Sequence, residues 1–342
     1  MAKKPGAGRP TQRTIAARAG ISVGAVSRAL NNDPRIALQT RRSVHKIAAE
    51  IGYAPDRAAQ RLRTGRTQVI NLVLPPHDEI LGFGTSVVRG ISRALAGSSY
   101  HLVVMPDFGI EGQKNTIERV VRHQLADGFI FSRTQPDDER VRYLLEADFP
   151  FVTHGRTELA TPHPYVDFDN FDFARRAAEQ LIAKGAGRLA ILLPPEKLTF
   201  RQHLLHGFMT SVREAGVAFE IIEGATLDSP PETVKRALEQ RFAQPDPPDG
   251  LICPGEVSGL AALAAIQDVG LVVGQDVNLI VKQTTGLFGL VRPQVQSLYE
   301  DLTMAGFTMA QLLLRRIEGE SPLDLQHIQP VSETPVDPIT SE

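Results

Sequence analysis

"TIAARAGISVGAVSRALNNDPRI", residues 14–36, reads as two short helices joined by a tight turn. Thr11, behind Pro10, caps the first helix, which runs to about Arg18 before Gly20 stops it. Ser22 caps the second, which runs to about Leu30 until "NNDP" (31–34) breaks the pattern. Only "AGIS" (19–22) separates them, the short glycine-containing turn of a helix-turn-helix. Helical spacing turns Ala25, Val26, Ala29 and Leu30 inward and leaves Ser22, Val23, Gly24, Ser27 and Arg28 outward. Small outward side chains let a backbone approach base edges, and an arginine can reach guanine or phosphate. Those five, with Thr11 and Asn31 at the helix ends, are the DNA-contact candidates of this segment. The same motif also packs in proteins that never meet DNA, so a second property has to separate the readings.

Charge is that property. Residues 1–66 hold 14 Lys+Arg and 3 Asp+Glu, net +11, which leaves residues 67–342 with 23 and 36, net −13. A basic head on an acidic body suggests a polyanion partner for the head alone. The head also has a folding pattern, Ile15/Ala19, Val26/Leu30 and Val44/Ile47/Ala48/Ile51, which a solvated basic tail lacks. Its third helix is expected from a cap at Thr40 to Ile51, with Gly52 ending it.

After that helix comes "PDRAAQRLRTGRT" (55–67), which strands Leu62 among Arg57, Arg61, Arg63 and Arg66. From "TIAARAGISVGAVSRALNNDPRI" through "TRRSVHKIAAEIGYAPDRAAQRLRTGRT" (40–67) the chain resembles the lactose/galactose repressor (LacI/GalR) family. In that family the segment after Tyr-x-Pro, here Tyr53 and Pro55, forms a hinge helix only when two protomers sit on operator DNA. The resemblance implies that Leu62 wedges into the central base step, that Ala59 packs on its symmetry mate, and that Arg61 and Arg63 meet phosphate. Physics agrees: a helix of about eight residues is marginal in water and orders when a partner supplies contacts, and an apolar wedge gains a kinked, wider minor groove. The alternative is that Leu62 docks on the following domain.

From Val69 the pattern changes to apolar runs ending in Pro or Gly that alternate with helical stretches, as in a parallel α/β domain. Strands are expected at 69–75, 101–106, 128–132 and 151–155, and again at 188–194, 219–224, 250–254 and 277–281. The two sets repeat each other: "INLVLPP" with "VVRGISRAL" parallels "LAILLPP" with "LLHGFMTSV", and "ADGFIFS" parallels "PDGLICP". Two similar lobes follow, with crossovers near 155–165 and 282–295. The expected division is 1–54 for the DNA-binding domain, 55–66 for the hinge, and 67–342 for the two lobes. The first lobe would take about 67–157 and 286–298, the second about 158–285 and 299–342. The fold class is thus an N-terminal all-α helix-turn-helix DNA-binding domain with a hinge helix, then a two-lobed α/β periplasmic-binding-protein-like domain with parallel sheets.

Ligands of open α/β sheets sit at the carboxyl ends of strands, which here means a cleft between lobes that close by a hinge motion. "SRT" (132–134) and "THGR" (153–156) end strands there, so Arg133, His154 and Arg156 are candidates. By resemblance, Phe83 matches an aromatic that packs on a sugar ring, and Asp169, Asn170, Glu256 and Glu300 fall where the family places polar ligand groups. The family's usual arginine is Leu204 here, and its usual aspartate is Gln283, preceded by Lys282. Arg201, Gln202 or His203 could supply the lost contact. A sugar effector, guessed to be a glucoside-type disaccharide such as sucrose, is the expectation.

Other function classes fit poorly. "GEVSG" (255–259) lacks nucleophile-elbow spacing, no phosphate-binding G-x-x-x-x-G-K-[ST] occurs, and "GFG" (82–84) is too short for a dinucleotide fingerprint. His203 and His206 have no third metal ligand nearby, and Cys253 reads as a buried thiol. No catalytic residue, metal or cofactor is expected. A transporter's solute-binding protein shares the two-lobed fold but needs export. The basic start lacks a signal peptide's apolar segment and no membrane-length apolar run occurs, so a cytoplasmic protein without a membrane partner is expected. The hinge implies a homodimer on a palindromic operator, released by the sugar; a corepressor is the alternative sign. The helix at 299–319 is expected in the second lobe near the dimer seam, and the tail after it carries no leucine heptad for a tetramer.

Overall fold

A computed structural model of the chain describes residues 10–54, 61, 64–75, 79–106 and 113–333. It divides into two compact units, Met1–Thr67 and Gln68–Glu342.

The first unit is a three-helix cluster, α1 (Gln12–Ala19), α2 (Val23–Leu30) and α3 (Leu38–Glu50). Its core is small: Ile15, Val26, Ala29 and Val44 are fully buried, with Ala16 and Ala48 nearly so. Gly20 closes α1 in the left-handed region at φ +67° and returns its N–H to the Ala16 carbonyl. Ser22 then caps α2, accepting from the Ala25 N–H at 3.2 Å. Helix α3 departs from the expected start. It begins at Leu38, with Ala37 as an N-cap that offers no side chain, and Thr40 lies inside the first turn. Burial of Val44 and Ala48 against α1 and α2 holds this helix, and packing of that kind overrides a cap preference.

The hinge expectations fall largely elsewhere: Ala59, Leu62 and Arg63 lie outside the described residues. Arg61 is exposed, and its carbonyl accepts from the Gly65 N–H at 2.8 Å, the i, i+4 spacing of a helical turn.

The second unit contains two parallel sheets. In chain order it runs β1 (Val69–Leu74), α4 (Phe83–Ala94), β2 (His101–Pro106), α5 (Gln113–Arg122), β3 (Gly128–Ser132), α6 (Glu139–Glu146), β4 (Phe151–His154) and β5 (Tyr165–Phe168). Then come α7 (Asn170–Ala183), β6 (Arg188–Ile191), α8 (Thr199–Ala215), β7 (Ala218–Ile221), α9 (Pro231–Phe242), β8 (Gly250–Cys253), α10 (Glu256–Asp268) and β9 (Asn278–Gln283). The chain ends with β10 (Gln296–Tyr299), α11 (Leu302–Ile317) and β11 (Gln326–Gln329). The first lobe's sheet has the order β11-β5-β4-β3-β1-β2 and the second's β10-β9-β8-β6-β7.

This topology corrects the expected lobe division. Strand β5 pairs with β4, and β11 pairs with β5, so 165–168 and 326–329 belong to the first lobe. Strand β10 pairs with β9 and places 296–299 in the second. Helix α11 also packs in the first lobe, because Leu302, Ala305, Met309 and Leu313 share a core with Ile70, Val87, Ile91 and Ile130. The chain therefore crosses between lobes three times, near 168–170, 299–302 and 329–332, and not at 155–165 and 282–295. Strands β5, β10 and β11 escaped the sequence reading because none is a continuous apolar run: Asp167 interrupts "YVDF". "QSLY" and "QHIQ" are edge strands whose exposed faces need no apolar run.

The internal repeat has a physical basis. A Cβ on Gly90 of α4 would lie 2.0 Å from the Thr303 carbonyl oxygen of α11, and one on Gly207 of α8 would lie 2.1 Å from the Phe171 carbonyl oxygen of α7. At the same point of each lobe, two helix backbones touch through a glycine.

Candidate functional site

Two surfaces carry the expected chemistry. On the first, α2 presents Ser22, Val23, Gly24 and Arg28 to solvent, with Ser27 half-buried beside them. Asn31 is exposed and donates its amide to the Ser27 carbonyl at 2.6 Å, and Thr11 is exposed at the start of α1. A Cβ at Gly24 would meet nothing within 4 Å, so the fold itself does not require glycine there. Helix α3 braces the turn after α2: Arg41 donates to the Asn32 carbonyl at 3.2 Å, and the His45 Nε2 lies 3.1 Å from Asn32 Oδ1.

The second surface is a cleft at the carboxyl ends of the strands of both sheets. Its interior is about 50 Å³, and with the mouth the atom-free space reaches about 510 Å³. The first lobe contributes Ile80 and Phe83 from the start of α4, Ser132–Thr134 after β3, His154–Arg156 after β4, and Asp167 from β5. The second contributes Asn170, Phe200, His203 and Lys282, and Glu300 enters from a crossover.

Three cations organise it through their ion pairs. Lys282 Nζ lies 2.7 Å from Glu300 Oε2, both sealed from solvent, and 3.3 Å from Asn170 Oδ1. The same ammonium stands 5.0 Å from the Phe168 ring centroid. Arg156 Nε lies 3.2 Å from Asp167 Oδ2 and donates to His203 Nε2 at 3.4 Å. Arg133 pairs with Glu79 of its own lobe at 2.9 Å and with Asp228 of the other. Its backbone is left-handed at φ +60°, and the buried Arg140 holds it there by donating to the Arg133 carbonyl at 3.0 Å. Arg140 is fixed in turn by Asp138 and by the Phe131 ring, 4.7 Å from its guanidinium.

Burial sets the protonation. It pushes Asp167 up to about 7, against the pull of Arg156. It brings His203 down to about 4, with Arg156 adding to the effect, so that the Nε2 is free to accept from Arg156. Burial also lowers His154, although Glu300 at 3.4 Å opposes the shift. Glu79 is raised by burial despite Arg133.

Of the effector candidates, Phe83, Arg133, His154, Arg156, Asn170 and Glu300 come together here. Phe83 is almost fully buried and meets His154 edge to face, with ring centroids 5.8 Å apart. Four others do not line the cleft, because their polar atoms serve the scaffold. Asp169 caps α7 through the Asp172 N–H at 2.9 Å, and Arg201 turns back to the Pro194 carbonyl. Glu256 accepts from the backbone N–H groups of Thr284 and Thr285 and from both their hydroxyls, fixing the loop after β9. Gln283 donates to Ser297 at 2.7 Å on the far side of the strand from Lys282. Conversely, Asp167, Lys282, Glu79 and Phe200 were not expected as contacts. Asp167 lies on the unrecognised β5, whose "YVDF" alternation was the available signal, and Lys282 stood beside the recognised departure at Gln283.

Comparison with known proteins agrees with this layout. Residues 11–56 match the family of bacterial regulatory proteins, lacI family, and 67–326 match the periplasmic binding proteins and sugar binding domain of the LacI family. The transcriptional regulator AglR of Rhizobium meliloti (strain 1021) is 30% identical over 325 residues, covering 91% of this chain and 89% of that protein. RafR of Escherichia coli is 30% identical over 319 residues, covering 92% and 94%. A CelR–cellobiose complex superposes with a TM-score of 0.67 at 27% identity, covering 94% of this chain and 98% of that one. The operator-bound lac repressor dimer shares the fold, with a TM-score of 0.77 at 22% identity, covering 95% and 97%. With a helix-turn-helix ahead of a two-lobed sugar-binding domain, and both halves matched along their length, the chain belongs to the LacI family and is a DNA-binding transcriptional regulator.

Proposed function

We propose that this regulator acts in the cytoplasm as a homodimer on a palindromic operator, represses genes for sugar use, and is released by a glucoside-type disaccharide. It works by binding alone, without catalysis or cofactor. In this reading α2 enters the major groove, Leu62 is the minor-groove wedge, Ala59 meets its symmetry mate, and Arg61 and Arg63 neutralise phosphate.

One observation carries the sugar assignment. His154 Nε2, Asp167 Oδ2, His203 Nδ1 and Glu300 Oε2 are all buried at the cleft; each has a charged or ionisable neighbour within 4 Å, but none makes a well-aligned hydrogen bond among the described residues. Buried polar groups need such partners. A hydroxyl both donates and accepts, so a ring carrying several hydroxyls satisfies carboxylates and imidazoles at once, while the apolar side chains of Ile80, Phe83 and Phe200 suit its carbon face. The cellobiose bound by the CelR relative belongs to the same class of ligand.

A disaccharide enters with the lobes apart, and the lobes then close around it. That displacement, passed to the hinge of two paired protomers, lowers operator affinity. A thermal-unfolding screen of sucrose, cellobiose, maltose and trehalose on the intact protein tests this, since a ligand of the folded form raises the melting temperature. A flat response to every neutral sugar contradicts the assignment.

A further inference from the structure

The charges at the cleft are balanced, and that balance bears on which sugars enter. Arg133, Arg156 and Lys282 are its cations, and each faces a carboxylate: Glu79 at 2.9 Å, Asp167 at 3.2 Å and Glu300 at 2.7 Å. Asp228 adds a fourth carboxylate at Arg133. Four acids stand against three cations, so with one carboxyl protonated the set still has no positive surplus. Both cleft histidines are held towards their neutral forms by burial and add no cation. The body around them carries net −13.

We propose that Asp167 and Glu300 determine specificity by cancelling Arg156 and Lys282, so that the cleft takes uncharged sugars and excludes phosphorylated or acidic ones. This rests on the sugar reading above and deepens it. Above about pH 7, where Asp167 is ionised, a phosphate ester brought against these pairs meets a carboxylate beside every cation. Desolvating the dianion there is then not offset by a free guanidinium or ammonium. Removing either carboxylate without changing its shape releases one cation to meet an anion.

Calorimetric titration of the intact protein at about pH 8, where Asp167 is ionised, tests this at constant ionic strength. Sucrose, cellobiose, maltose and trehalose are compared with their 6-phosphate esters, and inorganic phosphate serves as the control. At least one neutral disaccharide is expected to bind, with its ester weaker by about 100-fold or more. Asp167→Asn and Glu300→Gln, each confirmed as folded by cooperative unfolding, are expected to narrow that gap by about tenfold. An ester that binds the wild type within tenfold of its parent overturns the charge filter and leaves the sugar reading standing. A gap unchanged in both variants overturns the assignment to these carboxylates. If neither class binds while double-stranded DNA is still held, the sugar reading itself fails and this inference fails with it.

Discussion

Thr199 of the second lobe donates both its backbone N–H and its hydroxyl to the carbonyl oxygen of Thr134 in the first, at 3.0 and 3.1 Å. Both residues are buried, so this double contact is a strut across the cleft of the closed form. Thr199→Val removes the hydroxyl bond and keeps the backbone one. A lost bond of this kind costs about 0.5–1.5 kcal/mol. Since the cleft is lined from both lobes, that cost falls on the ligand-competent closed state. Affinity for a neutral disaccharide is expected to drop by roughly 2–10-fold in calorimetric titration. Undiminished affinity would show that closure does not depend on the strut.

Asp167 gives a pH dependence of defined sign. Its carboxyl rises from 3.8 to about 7 in the folded chain, so between those values the folded form holds a proton that the unfolded form releases. Stability from this group is therefore present below about pH 4, is lost as pH rises, and is fully lost above about pH 7. Asn cannot ionise and escapes the loss. Asp167→Asn should gain on the wild type between pH 4.5 and 7.5 by up to about 4 kcal/mol, read from denaturant unfolding. Parallel stability curves for the two proteins would remove the buried-carboxylate account.

The glycines divide by what surrounds them. Alanine at Gly207 sets a Cβ 2.1 Å from the Phe171 carbonyl oxygen and must push α7 and α8 apart. The expected loss is about 1–3 kcal/mol despite alanine's better helix propensity. Gly90→Ala should behave alike against α11. A melting temperature unchanged in either variant would mean that the helices do not touch as described.

Gly24 is the opposite case, since a Cβ there meets nothing in the protein. Gly24→Ala is expected to stabilise the first unit by up to about 1 kcal/mol and yet weaken operator binding, because the added methyl stands on the face offered to DNA. Arg28→Ala should leave stability within about 0.5 kcal/mol and relax discrimination at particular base pairs. Competition binding against single-base operator variants checks both; equal discrimination by wild type and Arg28→Ala would remove Arg28 from base readout.

How far the sequence could be read follows from where each signal resides. The first unit was legible because its fold is local: Gly20 and Ser22 punctuate helices whose apolar spacing is short-range. Only Thr40 misled, since packing of Val44 and Ala48 starts α3 three residues earlier. The buried strands were legible as continuous apolar runs, as with the fully buried "GFIFS" of β3. Lobe membership was not, because β5, β10 and β11 are short or polar edge elements whose partners are distant in sequence. The cleft shows the same limit. Strand ends located Arg133, His154 and Arg156, whereas Asp167 depended on an unseen strand. Glu256 and Gln283 lie near the right place with their polar atoms turned to Thr284 and Ser297.

Fluorescence anisotropy on a palindromic DNA from the region beside this gene, with salt and a neutral disaccharide as the two variables, tests the central claim most directly. The account predicts one chain per half-site and a steep loss of affinity with salt. It also predicts a fall of about 5–150-fold on adding the sugar, and no binding by residues 68–342 alone. Indifference of the intact chain to double-stranded DNA at low ionic strength, or equal retention by the fragment that lacks the helix-turn-helix, would contradict it.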